Sequence, residues 1–315
     1  MQQEMWDDKQ IERRYCSRLG WALFLTLLLT LGWLYVLSGL DMLYTWDYIS
    51  WDIRSIFGNE EIYNLAATRG GYLVAIPVSF FICRRRYDQP ALTKRAVSVR
   101  QIGCWFVSGI FLMVAGQMIG ASVEKTLYHF LGQPPVDLVN EMLDQMSLWM
   151  IAADVCLLGP ICEELLFRRL LANRLSRYGQ KPAAIVSALL FGLYHANFGQ
   201  FFYAFGLGIL LAYAYFQTGR FWVPLLLHIL FNIYGGLLPI IFEVDTTAMI
   251  LYVVAELLLC IAGIIILIRD RSDGIWKHGF YPPRMRVIFG NPGMLFLIAA
   301  LFIETTLYYL FLLWV

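Results

Sequence analysis

Long apolar runs separated by short polar segments make up most of this chain of 315 residues. A helix that crosses a lipid bilayer needs about 20 mostly apolar residues. Runs close to this length cover residues 19–40, 66–83, 101–122, 146–166, 182–198, 200–217, 221–242, 247–268 and 293–315. The pattern therefore predicts an all-α, polytopic transmembrane helix bundle with about nine spans.

Composition supports a membrane protein. Hydrophobic residues make up 59% of the chain, charged residues only 15%, and the mean hydropathy is +0.62. A soluble domain of this size does not need so much apolar surface. We therefore expect the lipid bilayer as the main partner and no nucleic-acid partner.

The polar segments between the predicted spans alternate in charge. Those before span one, between spans two and three, between four and five, and between eight and nine are basic, whereas the intervening segments are acidic. By the positive-inside rule, this predicts a multi-pass protein of the cell membrane with a cytoplasmic N-terminus and an outer C-terminus. The first apolar run is longer than a signal-peptide core, so we interpret it as a retained anchor.

Two outer segments differ from simple loops. Residues 41–65 are rich in tryptophan and tyrosine, which favours the headgroup zone of the membrane. Residues 136–146 follow a Pro-Pro pair and alternate apolar and acidic positions with helical spacing, which predicts an interfacial helix. The six cysteines show no CxxC pair, so we expect no disulfide framework.

Ionisable side chains are concentrated in spans four to seven. Span four contains Glu163 and Glu164 and continues to a turn at residues 179–182, after which span five contains His195. Counted from Gln180, Glu163 is 17 residues back and His195 is 15 forward. In an antiparallel helical hairpin, this places the two side chains within about 3 Å in height.

Span seven adds His228 and Asn232, which are four residues apart and therefore share one helical face. Small residues recur every four positions in spans five and six, which allows their backbones to approach closely. Spans four to seven are therefore predicted to form one compact four-helix core.

These residue types suit hydrolysis of an amide. Neighbouring carboxylates repel each other in a low-dielectric site, so Glu163, which lacks the helical counter-ion of Glu164, is a candidate general base. His195 could orient the same water, and His228 with Asn232 could hydrogen-bond the oxyanion. Glu164 and Arg168 are four residues apart in the favourable order for an ion pair, whose role is alternatively structural.

Other interpretations use overlapping residues. Glu163, His195 and His228 could instead bind Zn²⁺ with one open position for water, although no HExxH motif is present. Cys162, His195 and Asn232 could form a thiol-protease set, but adjacent carboxylates disfavour a thiolate. Arg69, Glu256 and Glu304 are interpreted as helix contacts or snorkelling side chains, and His129 and His278 receive no role.

The order of three motifs resembles a known family. They are EExxxR at Glu163, Glu164 and Arg168, FxxxH at Phe191 and His195, and HxxxN at His228 and Asn232. The chain resembles the CPBP intramembrane proteases over about residues 143–240, a family that includes type II CAAX prenyl endopeptidases and Abi proteins linked to bacteriocin self-immunity. The resemblance implies that Glu163 and His195 activate water, His228 and Asn232 hold the oxyanion, and Glu164 and Arg168 support the site, without a metal ion.

The sequence thus predicts outer helices in residues 1–142, a catalytic core in 143–242 and two further helices in 243–315. We expect an intramembrane endopeptidase that acts on a membrane-associated or lipidated protein or peptide and whose cavity opens toward the cytoplasmic leaflet, near the basic residues 168–181. The alternative is a non-enzymatic immunity or binding protein, or a small ion-coupled transporter.

Overall fold

The protein is a polytopic helical bundle. The computed structural model describes residues 2–84, 92–132, 141–143, 145–269 and 282–312, and no strand occurs within these ranges. The helices of the first part are α1 (Gln2–Thr45), α2 (Glu60–Ile82), α3 (Val99–Leu131) and α4 (148–178). The remaining helices are α5 (Gln180–Leu193), α6 (Phe198–Thr218), α7 (Trp222–Glu243), α8 (Thr246–Arg269), α9 (Pro282–Phe289) and α10 (Pro292–Leu312).

Seven helices in the described ranges are long and apolar enough to cross a membrane: α1, α2, α3, α6, α7, α8 and α10. The fourth and fifth predicted spans correspond to α4, whose hydrogen-bond pattern changes along its length, and to α5, which has 14 residues. The predicted helical interfacial segment at 136–146 lies mostly outside the described residues. The aromatic segment after α1 contains a short 3₁₀ turn, Arg54–Phe57, and exposes Trp46 and Tyr48.

The end of α5 corrects the predicted boundary of span five at residue 198. Ala196 has a positive φ of 56°, and the Asn197 side chain caps α6 by accepting a hydrogen bond from the backbone N–H of Gln200 at 2.8 Å. A helix cannot continue through this left-handed residue and N-cap. His195 consequently lies in a tight turn between α5 and α6, not inside a helix.

The connecting segments gather at two opposite ends of the bundle. At the end that we call the basic end, Cys16 of α1 contacts Tyr178 at 3.6 Å and Arg13 donates to the carbonyl of Gly290. At the other, acidic end, Trp149 donates to Glu61 at 2.7 Å, and Tyr309 donates to Glu124 at 2.7 Å. The alternation of basic and acidic segments therefore matches a physical separation of the helix ends.

Small residues let the central helices pack closely, as predicted for spans five and six. A Cβ atom on Gly208 of α6 would lie 3.0 Å from the Cα atom of Ala188 in α5. The contact of α3 with α6 is tighter still, because a Cβ on Gly116 would lie 2.4 Å from the Cα of Tyr203. This close packing places α4, α5 and α7 around a common interior.

Candidate active site

The two adjacent glutamates lie on a short α-helical segment of α4 between two π-helical segments. The segments are Ile151–Leu158 in π geometry, Gly159–Glu164 in α geometry and Leu165–Ala172 again in π geometry. The N–H of Gly159 donates to the carbonyl of Asp154, five residues earlier, and Pro160 has no N–H for an α-type bond. Such π segments occur frequently at functional sites.

Glu164 is a fully buried carboxylate with two partners. Its Oε2 lies 3.1 Å from Nε of Arg168, and both side chains have no exposed surface. Its Oε1 accepts a hydrogen bond from Nδ1 of His228 on α7 at 2.9 Å. The guanidinium of Arg168 also lies over the ring of Phe191, 4.7 Å from its centroid. Glu164 therefore connects α4 to α7 at the level of the site.

His228 contacts both glutamates. Its Nε2 lies 3.5 Å from Oε2 of Glu163, whose side chain retains 16% exposure. Because a carboxylate only accepts, Nδ1 of His228 carries the proton that is shared with Glu164. The other ring nitrogen faces Glu163. Sequence reasoning grouped His228 with Asn232, and this contact with both glutamates could not be read from helical spacing.

One ring nitrogen of His195 forms a hydrogen bond with the backbone. Its Nδ1 lies 2.9 Å from the carbonyl oxygen of Phe191. A carbonyl only accepts hydrogen bonds, so Nδ1 is protonated and, in a neutral ring, Nε2 keeps its lone pair. The Phe191 ring also packs edge-on against both His195 and His228, at centroid distances of 5.0 and 5.6 Å. Phe191 thus fixes the orientation of both imidazoles.

Asn232 is held by the first π segment of α4. Its Nδ2 donates to the backbone carbonyl of Val155 at 2.7 Å. The amide group has two N–H donors, so this bond leaves one for another acceptor. Asn232 is therefore held in one orientation and keeps a second N–H that can donate to another acceptor.

A cavity of about 500 Å³ joins these side chains. Glu163, His195, His228 and Asn232 all contribute to its wall, whereas the fully buried Glu164 and Arg168 lie behind it. The structure therefore brings four of the six predicted site residues to one cavity, and the other two are fully buried next to it. Cys162 of the alternative thiol set is not among the lining residues.

The cavity extends toward the acidic end of the bundle. Its wall includes Glu124 of α3, Asn197 and Gln200 near the start of α6, and Tyr308 of α10. These residues belong to helix ends opposite residues 168–181. The expected opening beside that basic segment is therefore wrong: α5 and the second half of α4 pack tightly there, with Leu170, Leu171 and Ala184 fully buried.

Arg69 makes a contact between helices, which is one of its two interpretations from the sequence, but its place beside the site was not predicted. It lies in the cavity wall, and its Nε donates to Oδ1 of Asp154, which is 5% exposed. This ion pair connects α2 to the first π segment of α4. The sequence did contain a signal for this pair. Arg69 and Asp154 lie in separate apolar runs, and a charged side chain in lipid needs a partner of opposite charge.

The alternative zinc set, Glu163, His195 and His228, lies in the wall of the same cavity. Within the described residues, no three His, Cys, Asp or Glu side chains are grouped in a way that could hold a metal ion. Nδ1 of His228 and Nδ1 of His195 each have a protein acceptor, so Nε2 is the ring nitrogen that remains on each side chain.

Comparison with known proteins supports the motif assignment. Residues 145–234 match the family model "Type II CAAX prenyl endopeptidase Rce1-like". The matched segment begins just before α4 and ends in α7, so it contains all six of the predicted site residues. No solved structure matches the chain.

Two curated bacterial proteins are similar over the same part. "Putative membrane peptidase YdiL" of Bacillus subtilis (strain 168) is 26% identical over 133 residues, which are 41% of this chain and 52% of that protein. "Membrane-embedded CAAX protease MroQ" of Staphylococcus aureus (strain USA300) is 28% identical over 138 residues, 41% of this chain and 54% of that protein. The chain thus spans about half the length of the curated relatives that it matches.

The family match covers the same helices that contain the EExxxR, FxxxH and HxxxN residues and that place four of them around one cavity. Over residues 145–234, the chain is therefore similar to the type II CAAX prenyl endopeptidases, in agreement with its resemblance to the CPBP intramembrane proteases.

Proposed function

We propose that this protein is an intramembrane endopeptidase that hydrolyses a peptide bond of a membrane-associated protein or peptide. The observation that carries the proposal is the shared cavity of Glu163, His195, His228 and Asn232 in the interior of a membrane bundle. Ionisable side chains at such positions are costly and usually functional. Here each of the four side chains has a hydrogen-bond donor or acceptor that could act in hydrolysis.

Glu163 and His195 are proposed to activate the attacking water. The Glu163 carboxylate is the part of the glutamate pair that reaches the cavity, and Nε2 of neutral His195 is an acceptor. A water between them would donate one hydrogen to each. As its oxygen attacks the substrate carbonyl carbon, its proton passes to Glu163, so Glu163 acts as the general base.

His228 and Asn232 are proposed to stabilise the oxyanion. With Nδ1 bonded to Glu164 and Glu163 nearby, a protonated His228 ring would be flanked by two carboxylates, and its Nε2–H could donate to the developing charge. The unused N–H of Asn232 supplies the second donor. Fixed donors of this type contribute a factor of about 10² to 10³ in kcat each.

Breakdown of the tetrahedral intermediate returns the proton. The C–N bond of the substrate breaks, and protonated Glu163 donates its proton to the leaving amine nitrogen. Glu163 is then a carboxylate again, and the second product is a carboxylic acid, which becomes a carboxylate by losing its proton to water. Glu164 and Arg168 are proposed to keep His228 oriented throughout, without contact with the substrate.

The proposed substrate is a membrane-associated or lipidated segment that enters from the acidic end, where the cavity extends. With the predicted cytoplasmic N-terminus, this end faces outward. The position of the protein in the cell membrane, its orientation and the metal-free chemistry are parts of the same proposal.

The test compares membranes that contain wild-type protein, Glu163→Gln or the matched control Glu243→Gln, in which an exposed glutamate at the end of α7 is changed in the same way. Quantitative proteomics should reveal uncut protein that accumulates with Glu163→Gln only. Purified protein in proteoliposomes should then cut that substrate at least 10²-fold more slowly after Glu163→Gln than after Glu243→Gln.

Equal processing by all three forms would overturn the protease proposal. A cellular phenotype that persists in Glu163→Gln and His195→Ala, without any cleaved protein, would instead support the non-enzymatic binding role. A transport role would require solute or ion flux that depends on the same residues.

A further inference from the structure

A second, separate groove lies at the basic end of the bundle. It has a volume of about 690 Å³ and is formed by the start of α3, the end of α6 and the end of α8. Arg95, Arg100 and Arg269 contribute to its wall. None of these residues lines the cavity that contains Glu163. The groove is therefore lined by a different set of charged residues from the cavity.

The positive charge of this groove is not neutralised within the described part of the chain. All three arginines are exposed, and no described carboxylate forms an ion pair with any of them. The first turn of α3, which contains Arg100, has no acidic residue, so the positive end of the helix dipole adds to the same field. The groove thus favours an anion.

The backbone around the groove is held firmly. The N–H of Arg95 donates to the carbonyl of Thr218 at 2.9 Å, and Nε of Arg220 donates to the carbonyl of Arg95 at 2.7 Å. Between them, Gly219 has φ +60°, and a Cβ there would lie 2.5 Å from the carbonyl oxygen of Thr93. The loop before α3 is therefore held against the α6–α7 turn. These backbone contacts position the segment that contains Arg95 and Arg100 and need no bound ligand.

One part of the remaining groove wall is apolar and continues onto the outer face of the bundle, whereas Gln101 and Gln217 make another part polar. Trp105, Ile265 and Ile266 form its wall below the arginines. Farther along α8, Ile261 and Leu258 are 57% and 63% exposed. An occupant would thus meet cations at the helix ends and an apolar path along the membrane-spanning part of α8.

We propose that this groove binds an anionic phospholipid, with the headgroup phosphate among Arg95, Arg100 and Arg269 and an acyl chain along α8. A phosphate diester matches the guanidinium groups, which bind phosphate oxygens through paired N–H donors. The apolar path favours a lipid over a free phosphate ion. Basic pockets between membrane helices on the cytoplasmic side bind anionic headgroups in this way.

The test uses the full chain in detergent and measures binding of short-chain phosphatidylglycerol by native mass spectrometry. The groove variant is Arg100→Gln with Arg269→Gln, and the matched control is Arg14→Gln with Arg286→Gln, which removes two exposed arginines elsewhere at the basic end. At about 1 kcal/mol per arginine near the headgroup, the groove variant should bind roughly 10- to 30-fold more weakly. The control should stay within about twofold of the wild type, because it leaves the groove intact.

Two further probes identify the ligand chemistry. Phosphatidylcholine of the same chain length should bind the wild type more weakly than phosphatidylglycerol, and inorganic phosphate should not displace the bound lipid. Equal loss in the groove and control variants, equal binding of the two lipids, or displacement by inorganic phosphate would overturn the proposal. Neither variant changes a residue of the proposed catalytic cavity, so the outcome is independent of the protease proposal.

Discussion

Nδ1 of His228 and Oε1 of Glu164 lie 2.9 Å apart and connect α7 to α4 inside the bundle. The same carboxylate contacts Arg168, and the same imidazole contacts Glu163. A buried cation is thereby linked, through one carboxylate and one ring, to the residue that reaches the cavity. The EExxxR and HxxxN motifs are consequently joined by one hydrogen bond, between Glu164 and His228, with ion-pair contacts on either side.

The buried pair of Glu164 and Arg168 predicts how substitutions change stability. Glu164→Gln leaves the fully buried Arg168 without its counter-ion, and loss of one partner of a buried pair costs about 3–5 kcal/mol. Adding Arg168→Met removes the stranded charge, so the double variant should recover most of the lost unfolding free energy. Thermal unfolding in detergent measures both effects. A double variant that is less stable than Glu164→Gln alone would contradict the pairing.

The proposed role of Asn232 predicts an effect of its substitution on the rate of cleavage. Asn232→Ala removes the second proposed oxyanion donor and should lower kcat about 10²- to 10³-fold with little change in KM, because the donor acts on charge that develops in the transition state. Proteoliposome kinetics with the substrate found by proteomics supply the measurement. A rise in KM at unchanged kcat would assign Asn232 to substrate binding instead.

The ion pair of Arg69 and Asp154 should be visible in a double-mutant cycle. Each single change, Arg69→Gln or Asp154→Asn, leaves a buried carboxylate or a partly buried guanidinium unpaired and should destabilise the protein. The double variant should lose less stability than the sum of the two, with a coupling of about 0.5–3 kcal/mol. Strict additivity of the three unfolding free energies would mean that the contact contributes nothing.

Close packing of α3 on α6 predicts a position-dependent effect of alanine. Gly116→Ala would place a methyl group against the backbone of Tyr203 and should cost about 1–3 kcal/mol through overpacking. Gly206→Ala is the matched control, since its Cβ would meet Leu112 at an ordinary 3.5 Å. This control should be neutral or stabilising by up to about 1 kcal/mol, because alanine favours a helix. Similar melting temperatures for the two variants would argue against this packing.

Metal independence is also testable. The proposed hydrolysis uses Glu163 as the general base and no metal ion, so cleavage should continue after dialysis against a strong chelator and should not increase when zinc is added. Turnover in proteoliposomes, together with elemental analysis of the same sample, checks this expectation. Activity that disappears with the chelator and returns with zinc alone would restore the metal hypothesis.

The sequence predicted the helical bundle well because lipid imposes a simple length and polarity requirement on each span. It was less accurate for α4 and α5. Runs of apolar residues do not reveal the π geometry around Gly159–Glu164 or the stop at Leu193. Those features depend on Pro160, on the left-handed Ala196 and on the Asn197 cap, whose signals are local and weak.

The sequence by itself determined the class of the protein, the helices that contain the site and the residues most suited to chemistry. The length of each hydrophobic run and the scarcity of charges in lipid restrict all three strongly. Only the tertiary structure decided that His228 contacts both glutamates, that Arg69 pairs with Asp154 and that the cavity extends toward the acidic end. These relationships join residues on different helices, and helical periodicity cannot specify how separate helices rotate and slide against one another.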